Sequence, residues 1–266
     1  MSPGTESSSH IIERLHRTTV AAWGRYATRV GGRLVEDRGM AFVVGTHPTP
    51  VIINTAFRTD PSVSATEVLD RSRAFYAGVG HQFTVVTSDQ LDADVCAAAT
   101  ASGWLMALDL PAMVCRTRLP DRPLPASVSL RRADPLRDIA SFRQIQRDGF
   151  ASDEEDRAAV ESVFGASDAL AAAETFAVVA TVGGRDAAVG MADVIDGVAY
   201  VGFIATLPAF RRRGLGDAVT RAVTNGGFDL GADMAVLEAS PMGRSVYERM
   251  GFEIVDTDRI WFPSGV

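Results

Sequence analysis

The run FRRRGLGDAV places three consecutive arginines immediately before a Gly-Leu-Gly turn and the start of a helix-like pattern. Glycines let the backbone turn sharply and let a ligand approach the amides closely. The first turn of a helix also presents unpaired N–H groups and a partial positive charge. Arginines add charge and paired donors for phosphate oxygens, so this order of residues predicts a phosphate or pyrophosphate site. The predicted loop consists of Arg211, Arg212, Arg213, Gly214, Leu215 and Gly216.

Two other interpretations of this loop are open on the residues alone. A solvated basic turn at the start of a helix is the simpler one, but the strand-like run that ends at Thr206 and the Pro208 that follows it favour a ligand loop. A dinucleotide-binding turn is the other, and it requires Gly-x-Gly-x-x-Gly after the first strand of a βαβ unit. Val219 stands at the third glycine position, and hairpin-like runs precede the loop. The dinucleotide interpretation is therefore the weaker one.

At two motifs the sequence resembles the GNAT superfamily of acyl-CoA-dependent N-acetyltransferases. The family's Arg/Gln-x-x-Gly-x-Gly/Ala signature is matched within RRRGLG. The family's last helix, with its Tyr-x-x-x-Gly-Phe core, is matched within SPMGRSVYERMGF at Tyr247, Gly251 and Phe252. The resemblance covers most of residues 128–262. The first half is similar to the degenerate N-terminal copy of tandem GNAT proteins.

The resemblance implies acetyl-CoA as cosubstrate, with no metal. Pantetheine would lie in a V-shaped opening between the strands VGFIAT and MAVLEAS, and would pair with the backbone of the first of them. The pyrophosphate would lie on the amides of residues 212–216. The strand residues implied in cosubstrate binding are Phe203, Ile204 and Ala205.

Acetyl transfer to an amine requires a general base that removes the amine proton directly or through water. Glu238, at the end of the strand beside the opening, is the first candidate and Asp193 the second. Each also fits a solvated strand residue, and Asp193 fits that description better. The family's helix implies that Tyr247 protonates the departing CoA thiolate, whereas its pattern alone indicates an aromatic packing residue. A backbone amide near Phe203 or Ile204 would polarise the acetyl carbonyl.

Three further features bear on the predicted site. Ser240 stands where the family often has an asparagine, so its hydroxyl would supply part of that hydrogen bonding to CoA. Asp217 places a negative charge beside the predicted pyrophosphate, either as a first-turn acid that suits the helix dipole or as a group that weakens CoA binding. The acidic run at residues 153–156 could attract a cationic amine. Ser152 with Glu155 is better explained as a helix capping box.

Composition narrows the remaining classes of function. The chain has 266 residues, a net charge of −7 and 47% hydrophobic residues, which predicts a globular protein and argues against a nucleic-acid partner. All 26 basic residues are arginine, so a lysine Schiff base and a Walker-type loop are excluded; a lysine-free, arginine-rich composition is typical of GC-rich bacterial genomes. Cys96 and Cys115 lack metal-ligand spacing, and we expect buried free thiols in a reducing compartment. No run reaches the ~20 apolar residues of a membrane span, so we expect a cytoplasmic protein without a membrane partner.

The order of strand and helix patterns indicates two similar units. The proline-rich run RLPDRPLPASV is typical of an extended linker and places a boundary after residue 125. Residues 126–266 follow the order β-α-α-β-β-β-α-β-α-β, with Asp196-Gly197 as a hairpin turn. Residues 1–125 show a weaker version of this order from residue 40 onward. We therefore predict an α/β (α+β mixed-sheet) protein with two GNAT-like domains, 1–125 and 126–266, each a mixed, mostly antiparallel sheet flanked by helices.

The resemblance to the GNAT superfamily implies an N-acetyltransferase that moves an acetyl group from acetyl-CoA to a primary amine by direct attack. The second domain would carry the activity, and the first would be a degenerate copy packed on it. A non-catalytic acyl-CoA-binding or sensing module is the main alternative, because it would keep the arginine-glycine loop without the acid and base. A dinucleotide-binding protein is the weaker one. The acceptor amine stays open, as do a monomer and a homodimer.

Overall fold

The computed structural model describes residues 7–50, 53–150, 158, 160, 162–164 and 167–264. Its strands are β1 (Arg33–Asp37), β2 (Met40–Val44), β3 (Thr55–Arg58), β4 (Thr84–Ser88), β5 (Leu105–Cys115), β6 (Val128–Arg132), β7 (Thr175–Val182), β8 (Arg185–Ile195), β9 (Val198–Thr206), β10 (Met234–Glu238) and β11 (Glu253–Phe262). Its helices are α1 (Ser8–Arg29), α2 (Ala65–Val79), α3 (Ala93–Ala101), α4 (Pro135–Phe150), α5 (Leu215–Asp229) and α6 (Arg244–Met250), with short 3-10 helices at Ser167–Leu170 and Pro208–Phe210. None of the described helices combines the length and the apolar character that crossing a membrane requires.

Within the described residues, eleven strands form one continuous sheet in the order β1-β2-β3-β4-β11-β5-β10-β9-β8-β7-β6. Neighbouring strands run antiparallel, except β3 beside β4 and β9 beside β10, which run parallel. Apolar clusters that include helix residues cover the sheet on both faces. The predicted fold class, a mixed and mostly antiparallel sheet flanked by helices, is confirmed.

The last strand of each half lies among strands of the other half. β5 pairs with β10 on one side and with β11 on the other, while β11 pairs with β4 and β5. The proline-rich connection after β5 runs along α5, where the Asn225 side chain binds both the amide and the carbonyl of Leu119 at 2.9 Å. The boundary after residue 125 stays a prediction, and the two halves it separates share backbone ladders.

The structure contains two elements that the sequence analysis does not predict, helix α1 and strand β1. The Ser7 side chain caps α1 by accepting a backbone amide of its first turn. The apolar side of the helix, from Ile11 to Tyr26, packs in one cluster with residues of both halves, among them Phe57 of β3 and Met191 of β8. Most of the stability of a helix in a protein comes from such tertiary packing, so α1 depends on the sheet that it covers.

Most elements of the second half form where the sequence places them. α4, β7 and β9 have the predicted bounds. The turn between β8 and β9 has φ angles of 48° at Asp196 and 77° at Gly197, and a two-residue hairpin turn of this type requires positive φ at both positions. The helix predicted over residues 152–165 lies largely outside the described residues.

Helix α5 approaches the sheet closely at two adjacent glycines. A Cβ atom on Gly226 would lie 2.1 Å from a ring atom of Phe176 on β7. A Cβ atom on Gly227 would lie 2.4 Å from the Cβ atom of Ala199 on β9. The missing side chains let the C-terminal part of α5 lie directly against the start of β7 and the start of β9.

Gly226→Ala is expected to lower the free energy of unfolding by about 1–3 kcal/mol, because the added methyl group overpacks against Phe176. Gly78→Ala is the matched control, since this glycine also lies in a helix, α2, and its added Cβ would meet no atom within 4 Å. There the higher helix propensity of alanine is expected to stabilise the protein slightly. Urea denaturation followed by circular dichroism measures both variants. Equal changes in the two would contradict the close packing of α5.

Candidate functional site

Strands β9 and β10 separate part-way along their length. They pair in parallel from Met234 opposite Val198 to Val236 opposite Tyr200. Beyond Tyr200, β9 continues to Thr206 and β10 to its end without further pairing between them in the described residues. The wedge between the two strands lies where the sequence predicts a V-shaped opening, and strand backbone is available there to a ligand.

Strand β9 carries a bulge beside this wedge. One residue of β8, Gly190, faces both Phe203 and Ile204 of β9. Phe203 has a φ of 55°, which is strained for a residue with a Cβ atom and is typical of functional sites. Gln146 on α4 holds this peptide, because its Nε2 donates to the Phe203 carbonyl at 2.5 Å. The bulge changes the direction of the backbone groups at these positions, whereas Ala205 is back in the ladder and buried.

The arginine-glycine loop turns twice through left-handed backbone before α5 begins. The φ angle is 63° at Arg212 and 76° at Gly214. A Cβ atom on Gly214 or on Gly216 would meet no atom within 4 Å, so there is open space beside both glycines. The amides of residues 212–217 donate to no acceptor in the described part of the chain. Leu215 has a buried side chain and contributes its backbone to this row of N–H groups, an arrangement that binds anions.

The three arginines of the loop differ in their partners. Arg211 donates to the carbonyl of Gly149 at 2.9 Å, which ties the loop to the end of α4. The Arg213 guanidinium lies 5.4 Å from the ring centroid of Phe210. Arg212 is exposed and makes no hydrogen bond or ion pair with the described residues. Arg212 therefore has its charge available to a phosphate, while the other two hold the loop.

The charge of Asp217 is offset by two arginines. Arg221, one turn further along α5, donates to the carboxylate from Nε at 2.6 Å. Arg122, in the proline-rich connection, lies 3.4 Å from it. A carboxylate between two guanidinium groups presents little net negative charge to the neighbouring loop. Of the two interpretations of Asp217, the structure favours the first-turn acid.

Glu238 lies at the end of β10 in a hydrogen-bonded chain of four side chains. Its Oε1 accepts from the Thr19 hydroxyl of α1 at 3.0 Å, and its Oε2 accepts from the Tyr200 hydroxyl at 2.5 Å. Tyr200 in turn accepts from Nε1 of Trp23 at 2.9 Å. Burial raises the pKa of Glu238, and the donors Tyr200 and Thr19 act against this rise by stabilising the carboxylate. Glu238 is thus oriented by groups from both halves of the chain.

Tyr247 lies on α6, and its ring packs against the start of that helix. A Cβ atom on Gly243 would lie 2.7 Å from the ring, and the Phe252 ring is 6.0 Å away between centroids. Burial raises the pKa of the Tyr247 phenol, and the Thr220 hydroxyl of α5 opposes that rise by hydrogen bonding. Ser240 is exposed, and its hydroxyl accepts from the Gly243 amide at 3.2 Å. Tyr247 therefore faces the N-terminal part of α5, just after the arginine-glycine loop.

Asp193, the second candidate base, is part of a buried ion pair. The expectation that it is a solvated strand residue is wrong, because its side chain is fully buried. Arg29 of α1 donates to both carboxylate oxygens, at 2.7 and 3.1 Å, and the Thr175 hydroxyl donates at 2.5 Å. The guanidinium fork and the hydroxyl occupy this carboxylate, which leaves Glu238 as the candidate base of the two.

Residues that the sequence reasoning missed come from α1 and α4. They are Thr19 and Trp23 beside Glu238, Tyr26 with its ring centroid 4.8 Å from that of Phe203, and Gln146 at the bulge. The apolar residues that recur along α1 at helical spacing are the signal that predicts such a helix. The acidic run at residues 153–156 lies outside the described residues.

Comparison with known protein families gives a match within the second half of the chain. Residues 130–255 match the model of a family described as acetyltransferase (GNAT) domain. This segment belongs to the GNAT family. No curated protein matches the chain in sequence.

Solved GNAT structures share the fold of nearly the whole chain. A GCN5-related N-acetyltransferase from Kribbella flavida has a TM-score of 0.74 and 20% identity, over 94% of this chain and 96% of that one. Another from Sphaerobacter thermophilus has a TM-score of 0.61 and 14% identity, over 84% and 76%. A tandem GNAT protein from the clavulanic acid biosynthesis pathway has a TM-score of 0.55 and 15% identity, over 84% and 77%. At such identities the likeness shows a GNAT-like fold.

Arg29→Met is expected to lower the free energy of unfolding by about 3–5 kcal/mol, because it leaves the buried Asp193 carboxylate without its ion-pair partner. Arg244→Met is the matched control. It breaks the pair with Glu248, whose two side chains are 53% and 44% exposed, and an exposed pair contributes at most about 1 kcal/mol. Urea denaturation measures both. A loss in Arg29→Met as small as that in the control would contradict a structural role for the Arg29–Asp193 pair.

Proposed function

We propose that residues 126–266 bind acetyl-CoA and transfer its acetyl group to a primary amine by direct attack. The observation that carries this proposal is the meeting of three features at the C-terminal end of β9. These are the wedge beside β10, the bulge at Phe203 and the row of free amides over residues 212–217. A pyrophosphate would lie over these amides, and pantetheine would extend along β9 into the wedge. Membership of residues 130–255 in the GNAT family supports the same assignment.

Glu238 is the proposed general base. Burial raises the pKa of this carboxyl, and a base whose pKa lies nearer the working pH transfers protons more efficiently. The neutral amine nitrogen attacks the thioester carbonyl, so that a C–N bond forms and the C–S bond breaks. The proton released by the amine passes to Glu238 directly or through water. The amide of Phe203 or Ile204 would stabilise the negative charge on the carbonyl oxygen.

Tyr247 is the proposed general acid, and Ser240 with the loop arginines is proposed to contact CoA. Because burial raises the pKa of the Tyr247 phenol, the hydroxyl stays protonated and can give its proton to the departing CoA thiolate. Turnover ends when Tyr247 regains a proton from solvent and Glu238 releases one. The net reaction moves the acetyl group from sulfur to nitrogen and leaves CoA as the free thiol.

Gly214→Asp is expected to weaken acetyl-CoA binding by roughly tenfold or more, because it adds a side chain and a negative charge where the pyrophosphate lies. Gly183→Asp is the matched control, since Gly183 also has a positive φ, 56°, and no atom within 4 Å of an added Cβ. Isothermal titration calorimetry measures binding, and circular dichroism checks the fold. No binding to the wild type, or an equal loss in both variants, would contradict the assigned loop. Binding without turnover on any amine would favour an acyl-CoA-sensing protein.

Tyr200→Phe is expected to move the acidic limb of the kcat/KM profile to higher pH. The variant removes a donor that stabilises the Glu238 carboxylate, so the pKa of Glu238 rises further and the active, deprotonated form appears at higher pH. Thr19→Val removes the other donor and is expected to shift the limb in the same direction. Glu238→Gln is expected to lower kcat by about 10²–10⁴-fold, the usual contribution of a general base. An acidic limb that stays at the wild-type pH in both Tyr200→Phe and Thr19→Val would contradict the assignment of Glu238 as the general base.

A further inference from the structure

Two buried carboxyls on β11 have oxygen atoms without partners. Asp256 and Asp258 are 5% and 4% exposed. One oxygen of Asp256, Oδ2, accepts from the Ser88 hydroxyl. Oδ1 of Asp256 and Oδ2 of Asp258 have no hydrogen-bond partner among the described residues. Buried polar groups almost always have partners, so these two oxygen atoms are free to accept hydrogen bonds from a ligand.

The strand register places these carboxyls near Glu238. Glu238 of β10 lies opposite Ala112 of β5, and Ala112 lies opposite Asp256 of β11. Opposed residues share a face of the sheet, and with strands about 4.8 Å apart the Cα atoms of Glu238 and Asp256 are about 10 Å apart. Asp258 is the next residue of β11 on this face. Ala112 is fully buried and carries only a methyl group, so β5 itself places no large side chain between the acids at that position.

Two arginines on neighbouring stretches of the sheet, Arg58 of β3 and Arg259 of β11, pair with other acids. Arg58 pairs with Asp92 at 2.8 Å, and Arg259 pairs with Asp89 at 2.9 Å. Asp89 and Asp92 both lie close enough to Asp258 to act on its charge. Neither arginine makes an ion pair with Asp258, and Nε of Arg259 is itself buried without a hydrogen-bond partner among the described residues.

The electrostatics of Asp258 reflect this surplus of acids. Burial raises the pKa of its carboxyl well above the usual range, and the charges of Glu238 and Asp256 raise it further. Within the described residues, no group of three acidic, histidine or cysteine side chains has the arrangement of a metal site. An organic cation with several N–H donors suits separate carboxyls better, since an ammonium group donates three hydrogen bonds.

We propose that the face carrying Glu238, Asp256 and Asp258 binds a dicationic amine, with the reacting amine at Glu238 and a second ammonium group at Asp256 and Asp258. The acceptor class is thus a diamine or polyamine with a short alkyl spacer, and the spacer would cross the methyl group of Ala112. The inference rests on the proposed acetyl transfer for the role of Glu238. The binding of the second ammonium group depends on the two β11 carboxyls alone.

The test compares putrescine with n-butylamine, which has the same carbon chain and lacks the second amine. The wild type is expected to have a kcat/KM for putrescine higher by roughly tenfold to hundredfold, the range of one hydrogen bond between charged groups. Asp258→Asn is expected to reduce this ratio towards one. Asp109→Asn is the matched control, since Asp109 is an exposed acid opposite Arg259 in the same pair of strands, and it is expected to keep the wild-type ratio.

Calorimetric titration of putrescine into the full chain supplies a second readout that needs no turnover. Binding to the wild type and to Asp109→Asn, with loss in Asp258→Asn, is the expected result. A wild type without preference for putrescine, an Asp258→Asn variant that keeps the preference, or equal putrescine binding by all three proteins would overturn the proposal. Absence of acetyl-CoA binding together with specific putrescine binding would reject the acetyltransferase function and leave the dication site standing.

Discussion

Strand β5 forms hydrogen-bonded ladders with both β10 and β11, so the halves of the chain share backbone bonds that neither can satisfy alone. Backbone N–H and C=O groups buried in a sheet need partners, and this requirement joins the halves more firmly than side-chain packing at a domain interface would. The candidate site lies beside this junction. β10, whose separation from β9 forms the wedge, is held on its other side by a strand of the first half.

Helix α1 extends the same dependence from the backbone to the side chains. Arg29 neutralises the buried Asp193 of β8, and Thr19 donates to Glu238 of β10. A carboxylate in a buried setting is stable only with charge-assisted or hydroxyl donors around it. The first half therefore supplies donors to two carboxylates of the second half, and the proposed base is oriented by groups from both halves.

The shape of the arginine-glycine loop depends on the conditions for binding an anion through backbone amides. Backbone amides bind an anion only when they are free of other acceptors. The loop must also leave space for the anion to approach, with no side chain in its way. The open space beside Gly214 and Gly216 meets the second condition, and the helix start at Leu215 meets the first. Arg211 contributes mainly by tying this shape to α4. Arg213 lies against the ring of Phe210, and Arg212 is the one of the three that makes no hydrogen bond or ion pair with the described residues.

Sequence alone determined the features that depend on neighbours along the chain. The Asp196-Gly197 turn, the bounds of α4, β7 and β9, and the glycine turn before α5 follow from local backbone preferences and short-period patterns, and the motifs around Gly214 and Tyr247 are equally local. The tertiary structure decided what depends on distant partners. It set the interleaved strand order and the position of α1 over both halves, because those arise from contacts between segments far apart in sequence. It also decided that Asp193 is a buried partner of Arg29, while Asp256 and Asp258 are buried with one oxygen atom each that has no partner among the described residues. A carboxylate's surroundings, which set its charge and its chemistry, come from side chains that only the folded chain brings within reach.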